Sequence, residues 1–166
     1  MMIRFAISLI VLLAAALPQA KGADHPRERL DMIIGDWTIE GREGSFSEVC
    51  QWFHNRSHVV CNSESKSNSG VSRGVSVFSY SEAKGRFVYY HYGSSGVAEG
   101  MDVFIDGRSL LATAERQAGS DLVREQVGMT PRPDGTFDFR IDVSKNGAPW
   151  ETTIRFHYVR RTRPQE

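Results

Sequence analysis

Phe137-Asp138-Phe139-Arg140-Ile141-Asp142-Val143-Ser144-Lys145-Asn146-Gly147-Ala148-Pro149-Trp150-Glu151-Thr152-Thr153-Ile154-Arg155-Phe156 is the stretch that decides the fold. Apolar and polar residues alternate with a period of two along its first half, and Asn146-Gly147 interrupts them as a hairpin turn does. Paired strands must place their apolar side chains on one face. With a two-residue turn at Asn146-Gly147, Val143 pairs with Trp150, Ile141 with Thr152, Phe139 with Ile154 and Phe137 with Phe156. The apolar sides then coincide, while Asp138, Arg140 and Asp142 point the other way. This is an antiparallel hairpin with one buried face.

The same reading extends upstream. Taking Asp106-Gly107 as a turn pairs Ile105 with Arg108, Val103 with Leu110 and Met101 with Ala112, with Glu99 facing Ala114. Further turn signals stand at Gly93-Ser94-Ser95-Gly96, Gln117–Ser120 and Pro133-Asp134-Gly135, a spacing that reads as a meander. After Gly22 the chain holds 13 Val but only four Leu and seven Ala, which favours strand over helix. About ten strands are expected, from near Asp36 to near Arg160, preceded by a short amphipathic helical turn at Arg27–Ile34. A closed barrel or a sandwich would satisfy this pattern, and the helical turn feeding a long meander points to the barrel.

The totals of 20 basic and 20 acidic residues in 166, at 40% hydrophobic content, describe two unlike segments. Residues 1–22 hold 16 hydrophobic residues, two basic residues (Arg4 and Lys21) and no acid. An apolar run from Phe5 to Leu17, broken by Pro18 and followed by Ala20-Lys21-Gly22, has the form of a cleaved export signal. At 13 residues it is short for a spanning helix, which needs roughly 20. The expected product is residues 23–166, one domain exported to a periplasmic or extracellular space. With 18 basic and 20 acidic residues it carries no basic field for nucleic acid, and it contains no further membrane span.

Export permits a disulfide between the two cysteines, Cys50 and Cys61. If His54-Asn55-Arg56-Ser57 is a four-residue loop between strands, Phe53 closes on His58, Gln51 pairs with Val60, and Cys50 lies opposite Cys61. Opposed residues sit about 4.5–5.5 Å apart at Cα, within disulfide reach. The alternative is two small buried thiols. Asn55-Arg56-Ser57 is also a glycosylation sequon, relevant only in a eukaryotic host.

Leu30-Asp31-Met32-Ile33-Ile34-Gly35-Asp36-Trp37, a helical turn running into Gly-x-Trp on the first strand, resembles the opening of calycin barrels: the lipocalins, the fatty-acid-binding proteins and the haem-binding nitrobindins. It is most similar to a bacterial family of exported, uncharacterised calycin-like domains that open with Ile-Gly-Asp-Trp. The resemblance implies a closed barrel in which Trp37, after Gly35, packs at the closed end near a basic side chain of the last strand. Arg160 is the candidate for that side chain, since it shares a face with Ile154, Phe156 and Tyr158. The resemblance also implies binding of a small ligand.

Motifs for catalysis are weak. Gly70-Val71-Ser72-Arg73-Gly74 matches the nucleophile elbow Gly-x-Ser-x-Gly, but that motif needs a strand-to-helix turn, and Val75–Tyr80 continues as strand. Ser63-Glu64-Ser65-Lys66 matches Ser-x-x-Lys by chance. Among the five histidines, parity turns His157 outward with Glu151 and Arg155, and the Gly93–Gly96 loop pairs Tyr90 with Glu99 and turns His91 outward, so haem is disfavoured and no cofactor is expected. The oddity is a pair of acids on apolar faces. Glu99 alternates with Met101 and Val103; Glu125 alternates with Val123 and Val127. A four-residue loop at Gln117–Ser120 would pair Ala112 with Glu125, leaving room between the two acids. Interior acids need partners, a raised pKa or water. Tyr90, Tyr92, Glu99, Met101, Ala112 and Glu125 are therefore the expected lining of a partly polar ligand pocket. The leading function is non-catalytic binding of a small, partly apolar ligand. A protein–protein module displaying Phe87, Tyr89 and His91 on its outer face comes second, and a hydrolase using paired carboxylates third.

Overall fold

The computed structural model describes residues 25–161 apart from 95 and 97, with backbone alone for 98 and 99. The expected export signal, residues 1–22, lies outside the described residues. Pro26–Ile33 forms a short 3-10 turn, with Pro at its first position and the His25 ring accepting from Arg27 N–H at 3.3 Å. It buries Leu30 and Ile33. Ten strands follow: β1 (Gly35–Ile39), β2 (Phe46–Trp52), β3 (His58–Ser67), β4 (Gly70–Ser81), β5 (Arg86–Gly93), β6 (Ala98–Asp106), β7 (Ser109–Ala118), β8 (Asp121–Pro131), β9 (Phe137–Lys145) and β10 (Glu151–Arg160). Each is antiparallel to the next, and β10 returns to pair with β1, so the sheet closes into a ten-strand barrel of calycin type. No helix among the described residues is long and apolar enough to cross a membrane.

One end of the barrel is sealed. The helical turn is tied across it by Arg27 to Glu82 (2.7 Å), Arg29 to the Ile105 carbonyl (3.3 Å), and Asp31 to Arg56 and Trp52 (2.8 Å each). Beneath it lies Trp37, 1% exposed, donating to the Ile33 carbonyl at 2.9 Å and meeting Phe137 edge-on with ring centres 4.7 Å apart. Arg160, the register partner of Trp37, lays its guanidinium 3.9 Å from the indole centre and donates to the Ile34 carbonyl at 2.8 Å. Gly35 makes this approach possible: its φ is +151°, and a Cβ there would stand 1.6 Å from Arg160 Nη1.

Cys50 and Cys61 are directly opposed and joined as a disulfide, with Cα atoms 3.9 Å apart, and Gln51 pairs with Val60. Other hairpins depart from the expected register in an instructive way. At Gly107 (φ +56°) and Gly119 (φ +63°) the left-handed residue takes the first of two turn positions. The pairing slides by two residues: Ile105 meets Leu110, Val103 meets Ala112, and Ala114, not Ala112, meets Glu125. A slide of two preserves faces.

The β9–β10 hairpin turns at Asn146-Gly147, both with positive φ, but Pro149 has no N–H for the ladder and pairing resumes only at Glu151 opposite Val143. A bulge between Thr152 and Ile154 adds a second offset, so Phe139 meets Phe156 and Phe137 meets Tyr158. Trp150 is left exposed rather than packed against Val143. The β5–β6 connection differs by one residue, so Tyr90 pairs with Gly100 and His91 with Glu99. An odd slip reverses both faces. Phe87, Tyr89 and His91 therefore point inward, and Tyr90 and Tyr92 point outward.

Candidate functional site

A cavity of about 260 Å³ lies inside the barrel beyond the sealed end. Its walls are mostly apolar: Phe46, Phe78, Phe137, Phe139, Phe156 and the rings of Tyr89 and Tyr158 reach it alongside aliphatic side chains such as Leu110, Met129 and Ile141. Inward positions of successive strands supply them, since β2 contributes even-numbered residues, β5 and β9 odd-numbered ones, and β10 even-numbered ones. The disulfide forms part of the same wall.

A short polar seam crosses this apolar lining. Ser76 Oγ stands 3.1 Å from His91 Nδ1 and 3.3 Å from the Tyr89 hydroxyl, and Ser63 donates to the Gly74 carbonyl at 3.4 Å. Gly74 leaves the space that the imidazole occupies, because a Cβ there would meet His91 Cε1 at 2.8 Å and Ser63 Oγ at 2.9 Å. His91 is thus flat against β4, one edge held by Ser76 and the other over Gly74. It is a wall residue of the cavity, hydrogen-bonded in place, which corrects the expectation that it turns outward. His157 points outward and stands 3.1 Å from the Asp138 carboxylate.

Glu48 is the chemical centre of the cavity. It sits on β2 between Trp37 of β1 and Ser63 of β3, and no hydrogen bond or ion pair reaches its carboxylate from the described residues. Part of its surface remains open, but that surface faces the cavity. Burial pushes its pKa up to about 7. The Tyr158 hydroxyl, also without a hydrogen-bond partner among the described residues, is held protonated far above the ordinary range by burial first and by the Glu48 charge second. Glu48 lies close to both disulfide sulfurs; oxidised cysteines offer no thiolate, so the three do not make a metal site.

Asp142 shows how differently a buried carboxylate behaves when it is partnered. Only 4% exposed on the outer face, it accepts from Thr152 Oγ1 at 2.6 Å and Gln126 Nε2 at 2.8 Å, with Arg140 Nε at 3.2 Å. The Thr152 hydroxyl, then Gln126, holds its pKa below the usual carboxylate range.

The six residues expected to line the pocket are dispersed. Ala112 lines the main cavity. Met101 and Glu125 border a separate depression of about 190 Å³ with Ala114, Arg116 and Val123. Tyr90 and Tyr92 lie on the outer surface, 43% and 48% exposed, which corrects the expectation that they face inward. Glu99 is a β6 residue opposite His91, its side chain outside those described. Conversely, Phe87 is buried and Tyr89 and His91 line the interior, so the outer face does not display them. Ser63 and Lys66 fall on opposite faces, which dismantles the Ser-x-x-Lys match, and Ser72 lies mid-strand in β4.

Glu48, Ser63, Ser76, Tyr89 and His91 were absent from the expected site. Glu48 was findable by the rule that singled out Glu99 and Glu125, since it alternates with Phe46, Cys50 and Trp52. No known protein-family description matches this sequence, and no curated protein is significantly similar to it.

Proposed function

We propose that this protein is an exported, non-catalytic binding protein that holds a small, partly apolar ligand inside the barrel. The observation that carries the proposal is the cavity itself: about 260 Å³, walled by aromatic and aliphatic side chains, with a few convergent polar groups on one side. An apolar cavity of about 150 Å³ admits benzene, so this one has room for one ring with a short substituent. Binding is placed ahead of hydrolysis by the pair Glu99 and Glu125 because Glu48 is the one carboxylate among the described residues that line this cavity.

The helical turn, Gly35, Trp37 and Arg160 support membership of the exported bacterial calycin-like domains that open with Ile-Gly-Asp-Trp. The disulfide and the composition of residues 1–22 support cleavage near Gly22 and a periplasmic or extracellular location. Native mass spectrometry of protein purified from its own host tests the binding reading: a retained small-molecule mass is the expected result. A clean apo mass, together with a stably bound partner subunit, would shift the reading to an interaction module. N-terminal sequencing of the same sample should begin within a few residues of Gly22; Met1 at the terminus would remove export by this route.

A further inference from the structure

We infer that the ligand is an organic ammonium, a protonated amine on a compact apolar body, with Glu48 as its anchoring carboxylate inside the aromatic-walled cavity. The inference rests on the interior-binding reading and adds the ligand's charge. Three observations lead to it. The first is that the cavity holds a carboxyl group that nothing among the described residues satisfies, whereas Asp142 on the outer face has three partners. An unpaired buried carboxylate is costly, and a cation inside the cavity removes that cost.

The second is the wall. Phe46, Phe139, Phe156 and Tyr158 line the same space, and an aromatic ring attracts a cation through its π system as it does not attract an anion. The third is the hydroxyl of Tyr158, unpartnered among the described residues, whose oxygen can accept a second N–H from an ammonium that carries several. An anionic ligand would meet Glu48 as a like charge, and a purely apolar one would leave it unsatisfied.

Such a site is gated by pH. The titratable groups that line the cavity with Glu48 are Tyr89 and His91 from β5 and Tyr158 from β10; Arg42 of the β1–β2 turn acts on Tyr158, its guanidinium 5.7 Å from the Phe156 ring centre, and the register partners of Glu48 on β1 and β3 are Trp37 and Ser63. Capture requires Glu48 ionised and the amine protonated. Affinity therefore falls about tenfold for each pH unit below the titration of Glu48, and falls again above the pKa of the amine.

Calorimetric titration of the oxidised protein with three probes of similar shape decides the matter: phenethylamine, propylbenzene and 3-phenylpropanoate. At pH 8 phenethylamine should bind about tenfold or more tighter than propylbenzene, and 3-phenylpropanoate should bind weakest. Glu48→Gln should abolish both that preference and the acid limb of its pH profile, while Glu64→Gln, on the outer face, should keep them. Equal binding of the amine and the hydrocarbon, tighter binding of the carboxylate, or a pH profile unchanged in Glu48→Gln would overturn the ammonium assignment and leave interior binding standing. Failure of all three probes at millimolar concentration would overturn interior binding, and the assignment with it.

Discussion

The two ends of this barrel interior are built from the same kinds of residue and solved oppositely. At the sealed end the central polar groups are answered: the Trp37 N–H has the Ile33 carbonyl, and Arg160 has both the indole face and the Ile34 carbonyl. On β2, in register with Trp37, Glu48 has no such answer among the described residues, nor has the hydroxyl of Tyr158. The sealed end buries Trp37 and serves stability. The cavity holds a carboxyl group whose charged form burial disfavours.

Gly35→Ala should give the largest effect, because it adds a Cβ where Arg160 already lies and forces a non-glycine residue to φ +151°. A loss of about 3 kcal/mol or more is expected in urea denaturation, and a loss below about 1 kcal/mol would show that Arg160 can leave the indole cheaply. Replacing both cysteines by serine comes next. The disulfide closes a loop with a sequence separation of 11, for which the entropic cost of opening is about 3 kcal/mol; wild-type protein under reductant should lose a similar amount.

Glu48→Gln should act in the opposite sense. The folded pKa of about 7 lies above the ordinary 4.5, so the native state binds more protons than the unfolded chain between these values. Wild-type stability is therefore full below the lower value and declines as pH rises to the upper one. The glutamine variant lacks this decline and should be more stable by roughly 2–3 kcal/mol at pH 8, with the difference vanishing near pH 4. Equal stability of the two proteins at both pH values would mean that Glu48 is well solvated.

Smaller again is Arg160→Ala, expected to cost about 1–2 kcal/mol through the lost indole contact and one hydrogen bond; thermal melts without change would assign Arg160 to the solvent. Last, Tyr92→Thr on the outer face should change stability by no more than about 0.5 kcal/mol and leave interior binding untouched.

How much of this the sequence disclosed depended on parity more than on hydrophobicity. The β2–β3 hairpin was legible because its loop length was right, which placed Cys50 opposite Cys61. In β7–β8 the turn was misplaced, yet an even slip kept Ala114 and Glu125 on the face expected for them. In β5 both faces are aromatic, with Phe87, Tyr89 and His91 alternating against Tyr90 and Tyr92. Only loop length could choose between the faces, and a one-residue difference chose the other. The site was lost for the same reason, since Tyr89 and His91 entered the interior through that slip. Glu48 differs: it alternates with Phe46, Cys50 and Trp52 as clearly as Glu125 does with Val123 and Val127.

The pairing of β1 with β10 has a consequence for how this protein meets others. An open sheet ends in a row of free amides and carbonyls, to which any extended chain can add itself. A cylinder has no such row. Along its paired strands addition is closed to partners and to other copies alike, and what recognises the outside of the barrel there meets side chains such as Tyr90, Tyr92 and Phe104.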